Sequence, residues 1–242
     1  MPFTFSHPAA VLPFSYLPKK WISMTGMIIG SLSPDFEYFI RMRVHSSYSH
    51  SWSGMFYFDL PMTIILTFIF HLFVRDSLID NLPIILKGRL LIYKNFNWSL
   101  YFKNNFIVIF ISILFGIATH IFWDGFTHKH GQFVQIIHGL NSNFMISGHS
   151  FPVYKLLQHS STIIGGLIVI YALLQLPMNK NCYLASSVIR YWLMICLITL
   201  ITVSIRILAG LDYRQYGDVL VTIISGGLLG LIITPKLLRL KY

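Results

Sequence analysis

Residues 104–128 read NNFIVIFISILFGIATHIFWDGFTH, and this stretch decides the fold class of the chain. Its first twenty residues hold no Asp, Glu, Lys or Arg, and an α-helix needs roughly 20 apolar residues to cross a bilayer. Imidazole and carboxylate side chains follow at the end of the run, at His120, Asp124 and His128. The stretch therefore predicts a membrane span that carries polar chemistry at one end.

Four further segments have the same apolar character. Together the predicted spans are 55–74, 104–123, 160–178, 190–210 and 218–235. The apolar run 21–32 is too short to cross and predicts a packed or re-entrant helix. Residues 76–103 mix Leu and Ile with Lys, Arg, Tyr and Trp, as an interfacial helix does. We therefore expect residues 1–242 to form a single all-α, polytopic membrane domain.

The composition also indicates a membrane protein. Of 242 residues, 55% are hydrophobic and 11% charged, against about 25% charged in soluble domains. This excludes a disordered chain and argues against an ordinary soluble domain. The net charge of +10 comes from basic residues dispersed at segment ends, which suits anionic lipid headgroups and not nucleic acid. Cys182 and Cys196 form no C-x-x-C pair, so nitrogen and oxygen must hold any metal.

Lysine and arginine are unevenly distributed between the two sides of the predicted topology. Ten of them lie in 75–103, 179–190 and 236–242, and eight lie on the other side, which has much longer loops. The positive-inside rule places the first side in the cytoplasm. Nine of the ten histidines fall on the other side. We therefore expect a functional site on the extracytoplasmic face of a bacterial inner membrane.

The sharpest local pattern joins His120, Asp124 and His128. Spacings of four and eight residues place these three along one helical stripe, and imidazole and carboxylate donors suit zinc, manganese or iron. Gly125 is expected to end or bend the helix before His128. A buried polar pair, hydrogen-bonded at a helix end, explains the same spacing equally well, because short His/Asp spacings often arise by chance.

Three N-terminal motifs carry further candidate ligands. The segment SPDFE around Asp35 either caps a helix or supplies a metal ligand or a general base. The Ser-rich segment HSSYSH ends at His50, which is a ligand or a solvated loop residue. The segment SHP around His7 supplies a ligand or a side chain that faces the interface. Each motif alone leaves both interpretations open.

The motifs together resemble a known family. The segments that carry the resemblance are MPFTFSHPAA at 1–10, GSLSPDFEYF at 30–39, HS at 50–51, DLP at 59–61, FHL at 70–72 and LLQHSS at 156–161. They are similar to a bacterial family of polytopic membrane proteins labelled a domain of unknown function, over essentially the whole chain. That family looks related to YdjM-like membrane-bound metal-dependent hydrolases, and more remotely to zinc-dependent phospholipase C.

The resemblance implies a phospholipase C-like helical metal site. Its ligand order is an early His, a Pro-Asp pair, a loop His and a later His-x-x-x-Asp, which on this sequence are His7, Asp35, His50, His120 and Asp124. The phospholipase C pattern also has a further His, for which His128 can stand in. Its His-x-x-x-Glu pair occurs nowhere in this chain. This departure favours one or two ions over three.

These observations predict a membrane-embedded metal-dependent hydrolase, a phosphoesterase that acts on a lipid or lipid-linked phosphate substrate. The expected cofactor is a divalent metal, with zinc the first candidate. We expect metal binding by His7, Asp35, His50, His120, Asp124 and His128, catalysis by Asp35, and substrate binding by Gln158, His159 and Arg206. Arg206 has the alternatives of reaching the headgroups or pairing with Asp212 or Asp218.

Two other functions fit the composition. An ion-coupled transporter would place ionisable groups near the middle of its spans, whereas Asp59, His71 and Arg206 lie within the predicted spans and none of them is central. A non-catalytic membrane scaffold would use its histidines structurally and would hold no metal. The sequence leaves the substrate, the metal and the oligomeric state open.

Overall fold

A computed structural model describes residues 3–146, 148–185 and 187–238 of the chain. Helix dominates these residues, as the sequence predicts. The α-helices are α1 (Met24–Leu32), α2 (Phe36–Arg41), α3 (Leu60–Ile69), α4 (Arg75–Asp80), α5 (Ile84–Leu90), α6 (Trp98–Thr127), α7 (Gln132–Ile136), α8 (His138–Asn141), α9 (Val153–Gln175), α10 (Val188–Leu208) and α11 (Tyr216–Leu237). The 3₁₀ helices are Thr4–Ala10, Leu12–Tyr16, Ser33–Asp35 and Leu91–Tyr93, and the π-helical turns are Met55–Asp59 and Phe70–Val74.

Five helical segments of the described chain are long and apolar enough to cross a membrane. They are Met55–Asp80, Trp98–Ile136, Val153–Gln175, Val188–Leu208 and Tyr216–Leu237. Each overlaps one of the predicted spans, so the prediction of a helical, multi-pass fold is confirmed. On α9 the apolar side chains of Ile163, Leu167 and Ile170 are more than half exposed, as lipid-facing side chains are.

The connections between the spans differ from the predicted ones in detail. The run 21–32 contains α1, a short packed helix. Residues 76–103 hold α4, α5, a 3₁₀ turn and the start of α6, and not one continuous helix. Pro83 breaks the helical run immediately before α5, because proline lacks the backbone N–H that an uninterrupted helix needs. A β-hairpin, β1 (Asn143–Ile146) antiparallel to β2 (His149–Pro152), is an addition to the predicted all-α fold.

The chain divides into two compact units. The first unit comprises Met1–Asp35, Tyr48–Ile64 and Asn105–Ala172, and the second comprises Phe36–Ser47, Ile65–Asn104 and Leu173–Tyr242. Each unit therefore draws on three separate stretches of sequence. Within α6, the stretch that belongs to the first unit begins at Asn105, where the backbone is non-helical (φ −133°, ψ 27°).

In the first unit, α1 packs closely against α6. The cap residue of α1, Ser23, donates its backbone N–H to Ser112 Oγ on α6 at 2.8 Å. A Cβ atom added to Gly30 would lie 2.6 Å from the carbonyl oxygen of Ile113, and one added to Gly116 would collide with the backbone of α1. Glycine therefore permits a backbone approach like that of small-residue contacts between membrane helices. This contact sets the position of the polar end of α6.

Candidate metal centre

Five polar side chains from four separate stretches of the chain converge in the first unit. We call this set the His–Asp cluster; its members are His7, Asp35, His50, His120 and Asp124. Two overlapping groups of three each have ligand atoms within 4.8 Å of one another. One is His7, Asp35 and His120, and the other is His50, His120 and Asp124. The structure thus brings together side chains that lie more than a hundred residues apart in sequence.

Asp124 has the largest number of short contacts in the cluster. Its Oδ1 lies 3.6 Å from His7 Nε2, and its Oδ2 lies 3.4 Å from His120 Nε2 and 3.6 Å from His50 Nε2. Asp35 Oδ1 lies 3.2 Å from His50 Nε2 and 3.7 Å from His120 Nε2. Two atoms that bind one zinc ion tetrahedrally, at about 2.0–2.2 Å, are separated by about 3.3–3.6 Å. These separations therefore suit ligands of a shared ion.

Several ligand atoms here are buried and, among the described residues, have no hydrogen-bond partner. They are His7 Nε2, His120 Nε2, His128 Nε2 and both carboxylate oxygens of Asp124. Buried polar atoms nearly always have a hydrogen-bond partner. A buried polar atom without one lowers the stability of the fold by about 1–3 kcal/mol. A divalent cation satisfies imidazole nitrogens and carboxylate oxygens simultaneously. The donor set and its unmet bonding capacity therefore fit a metal.

Neighbouring groups orient two of the imidazoles. His120 Nδ1 donates to the carbonyl oxygen of Ser31 at 2.7 Å, which directs Nε2 of the same ring into the cluster. Ser49 Oγ forms a hydrogen bond with His50 Nδ1 at 2.8 Å, which leaves His50 Nε2 facing the cluster. Histidines that bind metals are held in the same way, through the ring nitrogen that does not bind.

Asp35 is fully buried but charged. The Thr4 hydroxyl donates to its Oδ2 at 2.6 Å, so that Oδ1 faces the imidazoles. Burial opposes ionisation of the Asp35 carboxyl, but His120 and His50 outweigh the burial and hold its pKa below the usual range. The carboxylate is therefore ionised at neutral pH and can bind a cation. The alternative helix-capping interpretation leaves this convergence unexplained.

His7 enters the cluster from the first 3₁₀ helix, in its neutral form. Its ring stacks on that of His120, with centroids 3.7 Å apart and planes at 13°. Burial, and then the neighbouring His120, lower the pKa of His7 to about 3, although Asp124 and Asp35 act in the opposite direction. An imidazole must be neutral to bind a metal. The environment of His7 therefore favours the metal-binding form at physiological pH.

His50 reaches the cluster from an unusual backbone conformation. Its φ is 58°, in the left-handed region that few residues other than glycine adopt. Four residues later, a Cβ on Gly54 would collide with the carbonyl oxygen of Tyr48, so the loop turns tightly here. Backbone strain of this kind concentrates at functional sites.

His128 lies beside the cluster. The helix does not end at Gly125, because α6 continues to Thr127, directly before His128. A Cβ on Gly125 would lie 2.9 Å from the ring of Phe133, so the glycine leaves room for that ring. His128 Nδ1 donates to the backbone oxygen of Asp124 at 3.1 Å and lies 3.6 Å from its Oδ2. A ligand role for His128 stays a prediction.

Three supporting contacts were not predicted from the sequence. Thr4 lies one helical turn before His7, and Ser49 directly precedes His50, so local spacing contained a signal for both. Ser31 contributes its backbone carbonyl, which no side-chain pattern could indicate.

Among the described residues, the predicted substrate-binding residues form no hydrogen bond with the His–Asp cluster. On α9, in the first unit, Gln158 is half-buried and His159 is exposed. Within the described part of the chain, neither side chain hydrogen-bonds to the cluster. Arg206 belongs to the second unit, where it donates to the carbonyl oxygen of Met42 at 3.2 Å. Substrate binding by these three residues stays a prediction.

Comparison with known protein families gives a match over nearly the whole chain. No curated protein and no solved structure matches the chain. One protein family, described as "Domain of unknown function (DUF4184)", matches residues 1–235. The matched range includes every residue of the His–Asp cluster and all five candidate spans except the end of the last. The chain therefore belongs to the DUF4184 family.

Proposed function

We propose that the chain is a membrane-embedded metal-dependent hydrolase, a phosphoesterase that acts on a lipid or lipid-linked phosphate. The observation that carries this proposal is the set of buried ligand atoms without hydrogen-bond partners on His7, His120 and Asp124. Nitrogen and oxygen donors at these separations suit zinc first, and also manganese or iron. The ligand order resembles that of YdjM-like hydrolases and, more remotely, zinc-dependent phospholipase C, which supports hydrolytic chemistry.

The cluster offers ligands for one or two ions. His50, His120 and Asp124 would hold one ion, and His7 and Asp35 would complete its shell or hold a second. A divalent metal bound here lowers the pKa of a water ligand and neutralises phosphate charge. The sequence has no His-x-x-x-Glu pair, so a third ion lacks the ligands that the phospholipase C pattern would use.

The chain's own residues supply positioning and proton transfer. Thr4 holds Asp35 with Oδ1 towards the imidazoles, where the carboxylate either binds the ion or accepts a proton from water as a general base. Burial keeps bulk solvent from the cluster and strengthens its electrostatics. The His50 side chain is the most exposed of the five, at 15%. A substrate would therefore enter beside His50.

The position of the cluster on α6 supports a lipid substrate. Asp124 lies three residues before the end of α6 and directly after the apolar run 104–123, a position that suits the interface between hydrocarbon and headgroups. Trp123 and Trp52 are 41% and 44% exposed in the same unit. Partly exposed tryptophans are typical of the membrane interface. A cluster at the interface would meet the phosphoester of a lipid.

The test measures metal content and turnover on the same preparations. The full chain in a phosphate-free, non-ionic detergent is loaded with zinc, manganese or iron, dialysed and submitted to elemental analysis. Turnover is followed with bis(p-nitrophenyl) phosphate and with vesicles of phosphatidylglycerol or phosphatidic acid. We expect at least about one ion per chain and product release that requires the ion.

A matched pair of variants distinguishes the cluster from histidines in general. His120→Asn removes a buried ligand, whereas His149→Asn replaces an exposed histidine on β2 of the same unit. We expect His120→Asn to lose metal and turnover and His149→Asn to keep both. A folded wild type without metal would refute the metal centre. Metal without turnover on any of these phosphoesters would refute the hydrolase and favour a carrier or scaffold.

A further inference from the structure

The second unit contains an open cavity of about 600 Å³ whose lining is cationic. Its lining residues are Arg41, Arg43, His45 and Arg206, and we call it the arginine cavity. Among the described residues, Arg41 pairs with Glu37 at 2.8 Å, whereas Arg43 and Arg206 form no ion pair. Three guanidinium groups around one cavity repel one another, so an anion between them is stabilising.

The loop that carries Arg43 and His45 is hydrogen-bonded to α10 and α11. The carbonyl oxygen of Met42, itself at φ 50°, accepts from Arg206 Nη2 at 3.2 Å and from Thr222 Oγ1 at 3.4 Å. The backbone N–H of Val44 donates to Asp218 Oδ1 at 2.8 Å. Preorganised groups bind a ligand at a lower entropic cost. These hydrogen bonds therefore fix the backbone that carries two of the side chains lining the cavity.

The carboxylates of this region are engaged elsewhere. Glu37 Oε1 accepts from Arg41 Nε, Asp218 holds the loop backbone, and Asp212 Oδ1 accepts from the backbone of Arg214 at 2.9 Å. Within the described residues, no ion pair joins Arg206 to Asp212 or Asp218. The cavity keeps a net positive charge.

The arginine cavity lies where α10 ends and α11 begins, a position that suits a lipid headgroup. Arg206 lies in the last turn of α10, and α11 begins at Tyr216. The side chains of Tyr213 and Tyr216 at this end are 68% and 83% exposed, as interfacial aromatic residues are. Arg206 Nε is buried without a hydrogen-bond partner in the described chain, so a donor is available.

We propose that Arg41, Arg43 and Arg206 bind a phosphate group in the arginine cavity. Guanidinium groups match phosphate oxygens in charge and in bidentate geometry, and basic pockets between membrane helices bind phospholipid headgroups. A phospholipid and free inorganic phosphate present the same chemistry here. Arg206 is also one of the predicted substrate-binding residues, but the site shares no residue with the His–Asp cluster, and phosphate binding here does not require that the cluster hydrolyses a substrate.

Two binding measurements on the full chain separate the sources of phosphate. In a non-ionic detergent without phosphate, calorimetry follows titration with inorganic phosphate. Native mass spectrometry follows retention of added phosphatidylglycerol. Binding of lipid but not of inorganic phosphate assigns the cavity to headgroups, and saturable binding of inorganic phosphate alone assigns it to the free ion. Either result supports the proposal, provided that the arginine variants described below weaken the binding. If the chain binds neither ligand, the proposal is overturned.

Arg43→Gln is the primary variant, because within the described residues the Arg43 guanidinium makes no hydrogen bond whose loss could disturb folding. Arg206→Gln is the second. We expect each to weaken phosphate binding by at least about tenfold, because each removes a charge-assisted contact. Arg214→Gln is the matched control: its guanidinium lies over the ring of Tyr213 and outside the cavity lining. Wild-type affinity in both Arg43→Gln and Arg206→Gln would overturn the proposal.

Discussion

The substitution Asp124→Asn probes the centre of the His–Asp cluster. The carboxylate of Asp124 lies within 3.6 Å of nitrogen atoms on His7, His50 and His120, and both of its oxygens lack hydrogen-bond partners in the described chain. Asparagine keeps the shape and one oxygen but removes the negative charge. We therefore expect the variant to insert and fold, and to lose its metal.

The expected loss follows from the charges at the site. Asp35 and Asp124 together balance the two positive charges of a divalent ion, and the variant leaves one unbalanced. A unit charge about 4 Å from another, at an effective dielectric constant near 20, contributes about 4 kcal/mol. This corresponds to a rise in the Kd of the metal by roughly a thousandfold.

Competition with a chelator of known affinity measures this Kd, and elemental analysis gives the stoichiometry. The metal-free wild type, prepared with the same chelator, is the reference for folding, since its thermal transition separates loss of metal from loss of structure. An Asp124→Asn variant that binds zinc, manganese and iron as tightly as the wild type would contradict the reasoning. A variant that misfolds although the metal-free wild type is stable would indicate a structural ion-pair network instead.

Three further outcomes follow from the structure. Asp35→Asn should keep its metal and lose turnover by about 10²–10⁴-fold if Asp35 is a base; loss of metal as well would make it a ligand. In metal-free protein, the free energy of unfolding should fall as the pH drops from 6.5 towards 3, because only the unfolded chain then binds a proton at His7. The melting temperature of His7→Gln should therefore depend less on pH than that of the wild type. The same pH dependence in both proteins would contradict the assignment of His7 as neutral. In a cysteine-free background, cysteine at position 155 should react with an impermeant reagent from outside the cell and cysteine at position 180 should not; the reverse would contradict the predicted orientation.

The membrane spans were predictable because the bilayer imposes a simple rule. A chain in lipid must satisfy its backbone hydrogen bonds within a helix and expose apolar side chains, and both requirements are visible in a run such as 104–123. The helix ends were less predictable. α6 begins at Trp98, before the apolar run, where the Trp98 side chain is 1% exposed. Protein packing, which hydropathy does not measure, stabilises these first turns, which the non-helical residue Asn105 separates from the apolar run.

The candidate site was predictable in part for a different reason. His120 and Asp124 follow from helical periodicity alone, because four residues make about one turn. Their meeting with His7 and Asp35 depends on the close contact of α1 with α6, which Gly30 makes possible by admitting the backbone of its neighbour. A glycine in an apolar sequence does not reveal which helix it contacts. Tertiary packing therefore decides the convergence.

The choice between the two histidines of the HSSYSH loop shows where local sequence stops being informative. His45 is exposed and contacts Ser47 in the second unit, whereas His50 belongs to the first unit and faces Asp35. The difference comes from the left-handed backbone at His50, which costs of order 1–3 kcal/mol and persists only where the surroundings stabilise it. Ser49, Asp35 and Asp124 provide those contacts. A solvated loop histidine has no such contacts to offset the strain. The left-handed backbone at His50 therefore indicates that the loop conformation is stabilised by the contacts of the His50 imidazole with the cluster.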